Sequence, residues 1–248
     1  MPDSVKSIVV LIGGGHAAGK KTTAELLKNE VKDTFPDSNL EIMVIDLIKY
    51  IDPESLQRFD SYSKEAAITV PKDDDKKYPS LKPSRFNFVD LKQDLKEHLQ
   101  TAPNVPQKLI IIHGLYALYD KELRDLSQMK VFMSSDPDTR LIRWIRRDVL
   151  DAKKGISLEQ VITSYLYGAR DEMSNFIFPT KEFADVIMPR GAELNAIRLM
   201  VDGIIPYFAF SAKIPDRLSF NLLRPSDSND VFRSEKFDNE KGKFYELN

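Results

Sequence analysis

A run of small residues between an apolar strand and a polar helix constrains this chain more than any other feature. Ser7-Ile8-Val9-Val10-Leu11-Ile12 is short and dominated by β-branched residues, so it reads as a buried first strand entering the turn Gly13-Gly14-Gly15. From about Lys20 to Val31 apolar residues recur at helical spacing, with Ala24, Leu26, Leu27 and Val31 on the face expected to be buried. Between the two lies Gly14-Gly15-His16-Ala17-Ala18-Gly19-Lys20, which fits the first seven positions of G-x-x-x-x-G-K-[ST]. The strand–turn–helix setting supplies the chemistry. Backbone N–H groups of a tight glycine turn converge on phosphate oxygens, and the helix N-terminus adds partial positive charge. Lys20 would reach the β and γ phosphates. The plainer alternative is a glycine turn that merely joins strand to helix.

The eighth position breaks the pattern. A Ser or Thr hydroxyl there binds Mg²⁺, but this chain has Lys21, followed by Thr22 and Thr23. A one-residue slip would offer Thr22, but a helix turns about 100° per residue and would point that hydroxyl elsewhere. Lys21 is therefore a genuine departure. The nucleotide-binding candidates of the loop are Gly14, Gly15, His16, Ala17, Ala18, Gly19, Lys20, Lys21 and Thr22.

Downstream, short apolar runs alternate with helical periods, the pattern of an α/β protein with a parallel sheet covered by helices. Strands are expected at Leu40–Ile45, with Asp46 at the C-terminal end, then at Leu109–Ile112, Lys130–Met133 and Ala184–Met188. Helices are expected at Phe88–Gln100, Asp138 to about Leu150, Leu158–Phe176 and Glu193–Phe208. Residues 52–83 carry Lys72-Asp73-Asp74-Asp75-Lys76-Lys77 between prolines and read as a long exposed loop. The chain divides into a domain over 1–212 and a polar, proline-bearing extension over 213–248.

Composition narrows the function classes. A net charge of −2 gives no global basic field, so neither nucleic acid nor an anionic membrane surface is an expected partner. No apolar run approaches the roughly 18–20 residues that span a bilayer, and the early run Ile8–Ile12 lacks a signal-peptide cleavage pattern. The absence of cysteine excludes disulfides and thiolate chemistry. The expected location is intracellular and cytoplasmic, with the nucleus left open.

From Leu109 onward a series of motifs resembles the uridine–cytidine kinase family, the phosphoribulokinase/uridine kinase-like P-loop nucleoside kinases. The run Ile112-His113-Gly114-Leu115-Tyr116-Ala117-Leu118-Tyr119 is similar to the family's strand ending in Phe-Glu-Gly-Ile-Leu-Ala. Leu123-Arg124-Asp125-Leu126, Met129-Lys130-Val131-Phe132 and Asp136-Pro137-Asp138-Thr139-Arg140-Leu141 follow in family order. So do Arg147-Asp148, Leu158-Glu159-Gln160, Pro179-Thr180-Lys181, Ala184-Asp185-Val186-Ile187 and Pro189-Arg190-Gly191-Ala192. The resemblance spans roughly residues 7 to 205. It implies a three-layer P-loop NTPase, mononucleotide-kinase-like fold with a five-stranded parallel sheet and a lid near 150–157. ATP is the implied cofactor; Mg²⁺ is left open. A nucleotide and a nucleoside are the implied partners, and self-association stays open.

Where the chain departs from the family, it departs mostly at the chemistry. The family carries Glu at the position of His113, so His113 and Lys21 together replace two groups expected near one Mg²⁺, and no residue is assigned to a metal. His113 as a packing histidine is the plainer alternative. The family's general base, an Asp just past the second strand, corresponds best to Asp46, which would take a proton from a nucleoside hydroxyl beside the γ-phosphate. Asp46 as a simple strand-end cap is the alternative. Asp46 and Lys20 are thus the catalytic candidates. Tyr50 stands near the family's aromatic position. The segment Lys82-Pro83-Ser84-Arg85-Phe86-Asn87 lacks the family's two acids; a shifted register would use Asp90. The family's base-holding hairpin is missing between Gln100 and Leu109. In the lid, Arg143, Arg146 and Arg147 remain, Trp144 replaces an arginine, and the tip reads Lys153-Lys154-Gly155-Ile156. Arg143, Arg147 and Arg190 complete the nucleotide-binding set. Two functions follow: ATP-dependent phosphorylation of a nucleoside, or a degenerate relative that acts by binding.

Overall fold

The structure is a computed structural model, described over residues 7–36, 38–51, 82–99, 107–150 and 156–208. Strand β1 (Ile8–Gly14) is buried along its whole length, as a run with no polar face requires: only a strand covered on both faces buries every side chain. It lies at the centre of a five-stranded sheet. Strand β3 (Gln107–His113) pairs on one side and β4 (Met129–Met133) on the other; β2 (Leu40–Asp46) lies outside β3, and β5 (Val186–Met188) outside β4. Every pairing is parallel.

Parallel neighbours need crossover connections, and helices supply them. One face of the sheet carries α1 (Lys20–Thr34), whose Ala24, Leu27 and Val31 are buried. Against α1 packs α7 (Leu194–Ile204), through Ile197, Met200, Val201 and Ile204. The other face carries α2 (Phe88–Leu99); its Leu91 and Leu95 join Val9, Leu11, Ile110, Ile112 and Phe132 in one core cluster. Helices α3 (Lys121–Leu126) and α4 (Pro137–Asp148) flank β4 in the chain. A long helical run then follows: α5 (Leu158–Ser164), a π-helical segment (Tyr165–Ala169), α6 (Arg170–Glu172) and a second π-helical segment (Met173–Ile177).

Several boundaries differ from the expectation. Gly13 and Gly14 belong to β1 rather than to the turn, because they pair with Phe132 and Met133. Likewise β3 reaches from Gln107 to His113 through its pairing with β2. Main-chain register ends these strands, and side-chain pattern does not report it. The helix expected over Leu158–Phe176 is interrupted by π-helical turns. Helix α3 and the 3₁₀ turn Leu47–Tyr50 were not expected; side chains of Asp120 and Asp46 cap them, accepting from Leu123 N (2.8 Å) and Ile48 N (3.1 Å). Pro83, placed at the end of the exposed loop, is instead buried at the start of a 3₁₀ turn. The rest of that loop (52–81), the core of the expected lid (151–155) and the expected extension 213–248 lie outside the described residues. Among the described residues no helix is long and apolar enough to cross a membrane.

Strand order reverses about β1, which sends its connections to opposite sides of the sheet. That arrangement opens a crevice at the carboxyl ends of β1 and its neighbours, where open α/β sheets bind ligands.

Candidate active site

The loop that leaves β1 is shaped by left-handed backbone. Gly19 caps α1 at φ 98°, a region that glycine enters without the Cβ clash of other residues. Ala17 is also left-handed, at φ 55°, which costs a non-glycine residue about 1 kcal/mol. A Cβ on Gly15 would stand 2.5 Å from Arg140 Nη1, so only glycine admits that guanidinium. Arg140 is itself buried, and its Nε donates to Ser135 O at 3.1 Å.

His16 anchors the loop from the other side. Its Nε2 lies 2.6 Å from Glu172 Oε2, and its ring stacks on Trp144 with centroids 5.0 Å apart. Trp144 is buried together with Val161 and Ala169. Trp144, which the resemblance set at a lid arginine position, thus packs against His16 of the glycine loop. Glu172, buried, sits between the two π-helical segments; such single-turn insertions re-aim side chains and often mark functional sites.

Lys20 Nζ donates to Gly15 O at 2.7 Å. Burial pushes this ammonium down to about 7; Asp46 opposes that shift, and Arg140 and Arg147 reinforce it. Asp46 ends β2 directly beside His113 at the end of β3. Their Oδ1 and Nδ1 atoms are 3.9 Å apart. Asp46 is therefore a strand-end cap that also faces the crevice. His113 is buried, and burial sets it below the ordinary imidazole value. Asp46 opposes this while Lys20 and Lys21 add to it.

These groups line one cavity of about 550 Å³. The loop and α1 contribute His16, Ala17, Gly19, Lys20, Lys21 and Thr22; the end of β2 contributes Asp46, Leu47, Ile48 and Ile51. Phe86, His113, Gly114, Leu115, Arg143 and Arg147 close it. Thr22 borders the cavity alongside Lys21 on the first turn of α1. Gly14, Gly15 and Ala18 are not among the lining residues. Arg147 holds Asp148 through Nε (2.8 Å) and Nη2 (2.7 Å).

Other expected site residues lie outside the lining. Arg190 is exposed, and its carbonyl accepts from Arg143 Nη2 at 3.2 Å. Tyr50 donates to Asp94 Oδ2 at 2.8 Å; burial and then that bond push its hydroxyl up to about 12. Asp90 accepts from Asn87 Nδ2 at 2.6 Å, at the start of α2. Sequence reasoning missed Glu172, for which nothing marks an acid inside a helix, and the packing role of Arg140, which lies in a quoted motif. It also missed the apolar wall of Leu47, Ile48, Ile51, Phe86 and Leu115.

Whether the residues present suit Mg²⁺ is a question of donors. Mg²⁺ takes oxygen ligands in near-octahedral geometry, in nucleotide sites one or two from the protein and the rest from phosphates and water, so the donors that are free and the charge beside them decide. Among the described lining residues only Asp46 and Thr22 carry a side-chain oxygen, and Asp46 Oδ1 already caps Ile48. Two ammonium groups act on the corner that His113 occupies. This wall does not fit a magnesium site.

Comparison with known proteins finds relatives along most of the chain. The Phosphoribulokinase / Uridine kinase family profile matches residues 100–196. A Saccharomyces cerevisiae protein titled "Putative uridine kinase DAS2" is 33% identical over 251 residues, covering 98% of this chain and 96% of that protein. The uridine kinase of Lactococcus lactis subsp. cremoris is 33% identical over 192 residues, 75% of this chain and 89% of its own. That of Vibrio campbellii is 31% identical over 202 residues, covering 78% and 92%. With full-length similarity of this kind around a strand–glycine-loop–helix crevice, the chain belongs to the phosphoribulokinase/uridine kinase family.

Proposed function

We propose that the protein is an ATP-dependent kinase that transfers the γ-phosphoryl group to the hydroxyl of a nucleoside, as the names of its relatives suggest. The observation that carries this reading is one cavity holding Lys20 on the phosphate-loop side and the Asp46 carboxylate on the other. Lys20 and the backbone N–H groups of the loop hold the donor phosphates, and Arg143 and Arg147 approach from α4. Asp46 receives the proton of the acceptor hydroxyl as its oxygen bonds to the γ-phosphorus and the bond to the β-phosphate oxygen breaks, releasing ADP. The apolar wall of Leu47, Ile48, Ile51 and Phe86 faces the acceptor side and excludes water. Among the described residues that wall offers no polar side chain besides Asp46 and His113 to read a base, which supports weak discrimination among nucleosides.

A second reading, binding with little chemistry, is favoured by one specific observation: the cavity wall does not suit Mg²⁺. A transfer assay with ATP against uridine, cytidine and adenosine, in parent and Asp46→Asn, separates the two. Transfer that disappears in Asp46→Asn supports the kinase; ATP binding with no transfer to any nucleoside supports the second reading.

A further inference from the structure

The mismatch with magnesium has a positive counterpart in the charges that line the same cavity. Lys20, Lys21, Arg143 and Arg147 face it, and Asp46 is the one carboxylate among the described lining residues. Lys21 stands exposed on the first turn of α1, acts electrostatically on His113, and has no ion-pair partner among the described residues. An ammonium bordering the same cavity, beside a loop whose backbone N–H groups suit anions, is positioned to meet a ligand's negative charge.

We propose that the cavity binds the polyphosphate of a nucleoside triphosphate as the free anion, with Lys21 acting where a divalent cation's charge would otherwise act. This rests on the reading of the cavity as a nucleoside-triphosphate site. An ammonium carries one positive charge and three donors, so it holds phosphate oxygens in the ground state. It cannot chelate two of them around one centre and fix them for in-line displacement. A magnesium ion already on the nucleotide would meet the Lys21 ammonium at close range, so the metal complex gains little over the free anion. Linkage makes the statement reciprocal: if metal does not strengthen nucleotide binding, protein does not strengthen metal binding to the nucleotide.

The test is an ATP titration of the full chain in Mg²⁺ and in EDTA, read by calorimetry and by fluorescence of Trp144, the only tryptophan, which stacks on His16 of the loop. The parent should keep its Kd within about threefold between the two conditions, whereas Lys21→Ser should lose about tenfold or more in EDTA and recover part of it with Mg²⁺. Lys21 is exposed, so the variant should melt like the parent, which circular dichroism verifies. A parent that loses more than about tenfold in EDTA overturns the inference and leaves the kinase reading standing. If Thr22→Val then abolishes that metal dependence, the Thr22 hydroxyl holds the ion. Equal ATP affinity of Lys21→Ser and parent in EDTA also overturns it, since Lys21 would not act on phosphate. Failure to bind ATP in either condition removes the nucleotide reading itself.

Discussion

Nucleotide affinity should fall steeply between pH 7.5 and 9, because Lys20 must be protonated to hold phosphate. In the free protein, burial lowers this ammonium to about 7. Bound phosphate replaces the lost hydration with negative charge and returns the group toward its ordinary value near 10.4. The complex therefore carries a proton that the free protein has mostly lost, and affinity is highest below pH 7 and declines as pH rises above it. With a free value of about 7 and a bound value above 9, the loss between pH 7.5 and 9 is about 20-fold, and about 0.9 proton is taken up per ATP at pH 8. The window begins at 7.5 so that the terminal phosphate, whose second ionisation lies near 6, is already fully charged. Calorimetry in two buffers of different ionisation heat measures affinity and proton uptake together. Lys20→Arg keeps its charge across the range, so its affinity should be flat with pH, whatever its absolute value. A parent whose affinity changes less than about threefold, or a Lys20→Arg variant with the parent's slope, would refute the assignment.

Three further outcomes follow from the same geometry. Asp46→Asn keeps an oxygen for Ile48 N, so urea unfolding should move by under about 0.5 kcal/mol while transfer to a nucleoside falls about 10²–10⁴-fold; Asp46→Ala should also lose about 1 kcal/mol of stability with the cap. His16→Ala removes the 2.6 Å contact with Glu172 and the Trp144 stack, and should lower stability by about 1–3 kcal/mol and shift Trp144 emission to the red. Gly19→Ala has room for its methyl, since the nearest atom is Met133 Cε at 4.0 Å; the left-handed backbone alone should cost it about 1–2 kcal/mol in thermal unfolding.

Much of this protein is legible without coordinates. The all-apolar runs around Val9 and Ile110 can be buried only in a strand covered on both faces, and they alternate with helical periods, so a parallel α/β sheet follows from local pattern. The glycine spacing around Lys20 announces a phosphate-type loop for an equally local reason: Gly19 caps α1 in the left-handed region, where a Cβ is costly. Lys21 and His113 were likewise visible as departures, because a motif position is a position in the chain.

What pattern could not reach is partnership across the fold. Asp46 and His113 lie 67 residues apart, as their numbers show, and only the register of β2 against β3 sets them side by side. His16, Trp144 and Glu172 come from the loop, α4 and α6; nothing in any one segment tells that the other two wait for it. Tyr50 and Asp90 look like substrate contacts in the chain, yet their polar atoms are engaged with Asp94 and Asn87 at the edge of α2. Local spacing carries a residue's chemistry and its backbone preference. Which charge or ring it meets depends on strand order and helix packing, which bring distant segments within a few ångströms and are decided by the whole core at once.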